Sequence, residues 1–182
     1  SSLWANTRLG MEQAAGDLGA ELRFLTPGAD NDREEQKELL RREVERGTDA
    51  LVLAPVDPAD LGAEWETLTR GTPTVTLESE LPEAVALITP DNEALGWALA
   101  RRALEEYRGG TVLLLDCLPE NTGVQARVEA AEAALIRGGA TVLRWSETGE
   151  EELIRLDEEG ALAQVVALEI GATEAAAQAK ER

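Results

Sequence analysis

The chain has no histidine, one cysteine, one tyrosine and one phenylalanine. Without imidazole it cannot build a Ser–His–Asp or Cys–His nucleophile, nor a metal site held by histidine. Cys117, being alone, closes no internal disulfide and leaves the redox compartment open. It stands beside Asp116 with no histidine to activate it, so a buried, inert thiol is expected. No apolar run is long enough to cross a bilayer, and no signal peptide opens the sequence, as in a mature or trimmed secreted chain. Basic residues are scarce: 17 against 36 acidic ones, a net charge of -19. Such a surface repels nucleic acid and anionic membranes. Gly-x-Gly-x-x-Gly, the phosphate-loop motif and Gly-x-Ser-x-Gly are all missing, so no cofactor, no bound metal and no catalysis are expected. Aromatics make up 3% while hydrophobic residues make up 43%. The core is therefore alanine, leucine and valine, which suits helices packed on parallel strands.

The 182 residues suffice for one large domain or two small ones. The pattern turns about Val85 to Gly96. A short apolar run there ends at Thr89-Pro90, where proline fixes its own φ and extends the residue before it. Asp91 then caps a helix over 93–107. Before this point, helical spacing of Trp4, Met11, Ala14, Ala15 and Leu18 predicts a helix stopped by Gly19. Residues 21–25 alternate as a strand. A second helix spans 32–46, with Asp32 and Glu35 at capping-box spacing. Residues 50–54 form a buried parallel strand, a third helix runs from Asp57-Pro58 to Gly71, and 74–77 is the next strand. After it, strands are expected at 111–116, 140–145 and 163–168. Helices are expected over 122–136, in part of 146–160, and over 173–180. The predicted class is α/β: two doubly wound parallel-sheet lobes, 1–89 and 90–182, with Thr89, Pro90 and Asp91 as the hinge. The first unit opens on a helix where a doubly wound sheet has a central strand. A strand from upstream of Ser1, or from another segment, is expected to fill that place.

Taken in order, several stretches resemble the type I periplasmic sugar-binding proteins, which are related to the effector-binding domains of LacI-type repressors. They are Leu3-Trp4 with Gly10 and 14–19; Gly47-Thr-Asp-Ala-Leu-Val-Leu-Ala-Pro55; Thr72-Pro-Thr-Val-Thr-Leu77; Asp91-Asn92 with Gly96; Arg127; and Ala167-Leu-Glu169. The resemblance spans nearly the whole chain. It implies two lobes joined by crossing strands with a ligand cleft between them, a first strand and a C-terminal part outside this sequence, and an extracytoplasmic receptor of an ABC importer. The implied partners are a small sugar-like ligand and a membrane permease, with no nucleic acid, and a monomer is expected. The alternative is the ligand-sensing domain of a LacI-type repressor or membrane sensor.

Ligands of open α/β sheets bind beyond the carboxyl ends of the strands, and the candidates lie there or at helix starts. The resemblance implies that Leu3 and Trp4 offer an apolar wall, Trp4 against a sugar face, with a core position as the bland reading. Glu78 follows a strand and accepts from ligand hydroxyls. Ser79 replaces the arginine common in sugar binders, which removes a charged fork. Arg127 is aimed into the cleft, against the plain reading of a surface pair with Glu129 or Glu132. Asp116 and Glu169 end strands. Trp65, Trp97 and Trp145 are expected to pack.

Overall fold

In the computed structural model, residues 2–29 and 31–168 are described, the side chains of residues 2, 3 and 150 excepted. The strand β4 (Thr111–Leu115) is buried along its whole length, as its unbroken apolar run predicts. It lies between β5 (Thr141–Arg144) and β6 (Leu162–Ala167), parallel to both. Alternate side chains serve opposite faces. Val112 and Leu114 meet Ala100 of α5 (Asn92–Glu106) together with Val124, Val128, Ala131 and Leu135 of α6 (Thr122–Arg137). Leu113 and Leu115 meet Leu153 of α7 (Glu150–Glu158) on the other side. Helices thus cover both faces, and each fully enclosed leucine contributes about 1.5–3 kcal/mol.

The first half builds a second sheet in the order β1 (Leu51–Leu53), β2 (Thr74–Leu77), β3 (Ala86–Ile88), again all parallel. It follows α1 (Ser2–Leu18) and α2 (Arg33–Glu45) in the chain. Leu40, Leu53, Leu61, Trp65, Leu68 and Leu81 form its core. Parallel strands are joined by about a dozen residues or more. Here residues 78–85 pass from β2 to β3 without a helix, and Ser79 and Leu81 are buried in that passage. The two sheets are separate, one ending before Thr89 and the other starting after the first helix beyond it.

The expected caps at Asp32 and Asp91 form, accepting from the Glu35 and Ala94 amides, each at 2.9 Å. Asn121 adds an unpredicted one, accepting from Val124 at 2.9 Å. The capping box is only half made, because the Glu35 carboxylate accepts instead from the Gly28 amide at 2.7 Å.

The structure corrects other expectations. The third helix is two, α3 (Pro58–Ala63) and α4 (Trp65–Thr69), broken at Glu64 with φ −114°. The Glu64 carboxylate is held by Lys37 at 2.8 Å and Arg41 at 3.2 Å, both from α2. Residues 21–25 form no strand. Alternation alone does not make one; a partner backbone must lie alongside. Among the described residues β1 pairs with β2 alone, and a groove of about 230 Å³ lies between it and residues 21–25, lined by Met11, Leu22, Phe24, Leu40 and Leu53 among others. Trp65 is buried as expected, whereas Trp97 and Trp145 are 44% and 49% exposed. The guanidinium of Arg137 covers the Trp97 ring, 3.9 Å from its centre. Among the described residues no helix is long and apolar enough to cross a membrane. The expected helix 173–180 lies outside the described residues.

Candidate functional site

β2 ends in a strained turn. The Ser79 amide donates to the Leu77 carbonyl at 2.7 Å across Glu78, whose φ is +65°. A branched or long side chain held at positive φ costs energy, and such residues gather at functional sites. The turn directs Glu78 toward the start of α6, where Arg127 lies. Glu78 Oε2 and Arg127 Nη2 are 4.0 Å apart, with the side chains 31% and 14% exposed. That is too long for a hydrogen bond and short enough for strong Coulomb attraction.

Arg127 does not pair with Glu129 or Glu132; Glu132 is taken by Arg144, whose pKa this contact raises. Its Nε and Nη2 donate to Asn92 Oδ1 at 3.1 and 2.6 Å, and Nη1 donates to the Leu168 carbonyl at 2.5 Å. A guanidinium carries five donors. Three are satisfied by these bonds, and one Nη2 hydrogen is left on the side of Glu78. The first turn of α6 also touches the Glu78 loop directly. Thr122 Oγ1 accepts from the Glu80 amide at 2.7 Å, and a side chain at Gly123 would overlap the Glu78 carbonyl oxygen. Glycine is required there for close approach. Farther out, Arg33 donates to Glu120 at 3.0 Å while its other terminal nitrogen lies 2.8 Å from Asp57.

The structure therefore brings Glu78 and Arg127 together. Ser79 is wholly buried, and its hydroxyl has no hydrogen-bond partner among the described residues. Asp116 is 1% exposed and accepts from the Ser146 amide at 2.8 Å and the Ser146 hydroxyl at 2.5 Å, so both of its oxygens are engaged. Cys117 is exposed, contrary to the expected burial, because β4 has ended and the chain is in a surface loop. Trp4 is 43% exposed on the first turn of α1. Leu3 lies on the same turn, its side chain outside the description, and Glu169 lies outside the described residues altogether. Asn92 and Gly123 join the site without having been predicted in it, and Thr89, expected as part of the hinge, joins it as well. Among the described residues no group of three or more carboxylates and thiols is placed to hold a metal ion.

A search of curated protein sequences gives no match. Among solved structures, an ABC-type sugar transport system periplasmic component from Hahella chejuensis matches with a TM-score of 0.79 at 22% identity, over 99% of this chain and 72% of that one. A carbohydrate transporter solute-binding protein from Agrobacterium radiobacter, in complex with D-arabinose, matches at 0.76 and 20%, over 92% and 62%. GanP, a glucose-galactose binding protein from Geobacillus stearothermophilus, matches at 0.75 and 19%, over 92% and 64%. The chain thus spans less than two thirds of the length of the last two. Identities this low establish the shared fold alone. The model of the periplasmic binding protein domain matches residues 1–178. With its two separate parallel sheets and their flanking helices, the chain belongs to the periplasmic binding protein domain family.

Proposed function

We propose that this chain is the ligand-holding part of an extracytoplasmic solute receptor that captures a neutral, sugar-like compound for an ABC importer, and that it catalyses no reaction. The observation that supports this best is the 4.0 Å separation of the Glu78 carboxylate and the Arg127 guanidinium. A hydroxyl set between them donates to the first and accepts from the second. Each such bond to a charged group contributes about 1.5–3 kcal/mol. The pair is already neutral as a unit, so a polyhydroxylated neutral ligand satisfies both partners without leaving either charge buried alone. A phosphorylated or dicarboxylic ligand would meet Glu78 and the -19 field of the whole chain.

In this reading residues 1–89 and 90–182 move as two bodies about Thr89, Pro90 and Asp91, closing Glu78 onto Arg127. Trp4 offers its exposed indole to an apolar sugar face. The sugars named with the solved relatives, and their place in sugar transport systems, support the ligand class and a permease partner.

The test is a calorimetric screen of the intact protein against matched neutral, aminated and phosphorylated sugars. Tightest binding is expected for a neutral sugar, with Glu78→Gln and Arg127→Lys each weakening it at least about tenfold. Tightest binding to the phosphorylated member, or unchanged binding by both variants, would overturn the reading.

A further inference from the structure

Arg127 offers hydrogen-bond donors and no acceptor, so the atom of Asn92 that takes two of its N–H groups must be the amide oxygen. That orientation leaves the Asn92 amide nitrogen facing Thr89, and it donates to Thr89 Oγ1 at 2.9 Å. The Thr89 hydroxyl then has its own hydrogen to give, and the Glu78 carbonyl receives it at 3.4 Å. One continuous chain of donors thus runs from Arg127 through Asn92 and Thr89 to the backbone of Glu78. It begins in the second lobe, passes through the crossing segment and ends at the strained turn of the first. Asn92 is 7% exposed, and a side chain at Gly123 would meet both its nitrogen and the Glu78 carbonyl, so the first turn of α6 clamps the relay from above.

The residue type is specific to this task. Asp91 already caps α5, so position 92 is not needed as a cap. A carboxylate at 92 would accept from Arg127 but could not donate to Thr89.

We propose that Asn92 is the positioning residue of the Arg127 guanidinium and that, through the Thr89 hydroxyl, it makes the orientation of Arg127 depend on the conformation of the crossing segment. Any change in the angle between the lobes is then felt at Arg127, and a ligand that pulls on Arg127 acts on the hinge. The relay itself stands on geometry; only its use in ligand capture rests on the sugar-binding reading.

The test begins without ligand. In the isotopically labelled intact chain, the Arg127 Nε–H resonance is identified by its disappearance in Arg127→Lys. Asn92→Ala is expected to speed its exchange with water about tenfold or more, the loss of a charge-assisted bond. Asn92→Asp, whose carboxylate holds the guanidinium more strongly than the amide oxygen does, is expected to preserve the protection although the bond to Thr89 is lost. Thr89→Val, which leaves every Arg127 bond in place, is expected to shift the resonance and raise its exchange. An unchanged signal in Asn92→Ala would overturn the positioning role, and an unchanged signal in Thr89→Val would overturn the link to the crossing. Should Asn92→Ala fail to fold, Asn92→Asp and Thr89→Val still decide: loss of protection in the first, or none of the expected shift in the second, counts against the proposal. D-galactose and D-arabinose titrations follow. If the wild type binds either, the Asn92→Ala, Arg127→Lys double variant should bind no more weakly than Arg127→Lys alone, and additive losses would refute the coupling. If the wild type binds neither, nor any sugar of the calorimetric screen, the sugar-binding reading fails and the resonance measurements alone decide the relay.

Discussion

Glu78 holds two conflicting requirements in one residue. Its carboxylate faces Arg127, and its backbone occupies the left-handed region at φ +65°, where residues other than glycine are strained by about 1–3 kcal/mol. Replacing it by glycine should therefore leave stability to urea unchanged or raise it by about 1 kcal/mol, while the proposed sugar binding is lost; a clear loss of stability would mean that the turn is not strained. The positions of Glu78 after an apolar strand and of Arg127 in the opening turns of a helix were legible in the sequence, whereas their expected roles at a ligand came from the resemblance to sugar-binding receptors. Asn92 was not read as a site residue, and Thr89 was read only as part of the hinge. Their positions read fully as a helix start and a proline-marked crossing, and only the redundancy of an amide beside the Asp91 cap hinted at another task. Asp116 was legible as a strand end, yet its partner Ser146 comes thirty residues later, and no local pattern announces a bond of that span.

At the scale of elements, the closest packing lies between α5 and α6. A side chain at Gly96 would overlap the Arg127 carbonyl and come within 2.9 Å of the Ala130 Cβ. Gly96→Ala is expected to destabilise by about 1–3 kcal/mol through overpacking, measured as a lower urea midpoint at unchanged slope. Leu135→Ala, at a fully buried position of the same pair, should cost about 2–5 kcal/mol. Lys37 provides a different kind of tie. Its hydrogen bond holds the Glu64 pKa below the ordinary 4.5, with Arg41 adding to the effect. A carboxyl group depressed in the folded state stabilises above its unfolded pKa, and that contribution is lost as pH falls below about 4.5 through the depressed value. Thermal unfolding between pH 6 and 3 should therefore fall less steeply in Glu64→Gln than in the wild type. The helices and most strands followed from apolar runs between glycines. The same ionic tie explains why the third helix was misread: Lys37 and Arg41 approach from α2, out of reach of any window around Glu64. The alternation at 21–25 failed for the complementary reason, since a strand is a property of a pair and the sequence shows one member at a time.

For the whole molecule, the two lobes meet along a narrow seam from Glu78–Glu80 against Thr122–Gly123 to Arg33 against Glu120. The Arg33–Glu120 pair is 48% and 43% exposed, and exposed pairs contribute about 0.2–1 kcal/mol, less in salt. Glu120→Gln should weaken the proposed sugar binding by no more than about fivefold, with the difference vanishing near 1 M salt; a larger, salt-insensitive loss would place Glu120 in the proposed ligand site itself. The surplus of 19 negative charges has a colloidal consequence. It keeps two molecules apart by a repulsion that reaches about 10 Å at 0.1 M salt and only about 3 Å at 1 M. Concentrated solutions should stay clear in dilute buffer and scatter more light in strong brine, where that protection is gone.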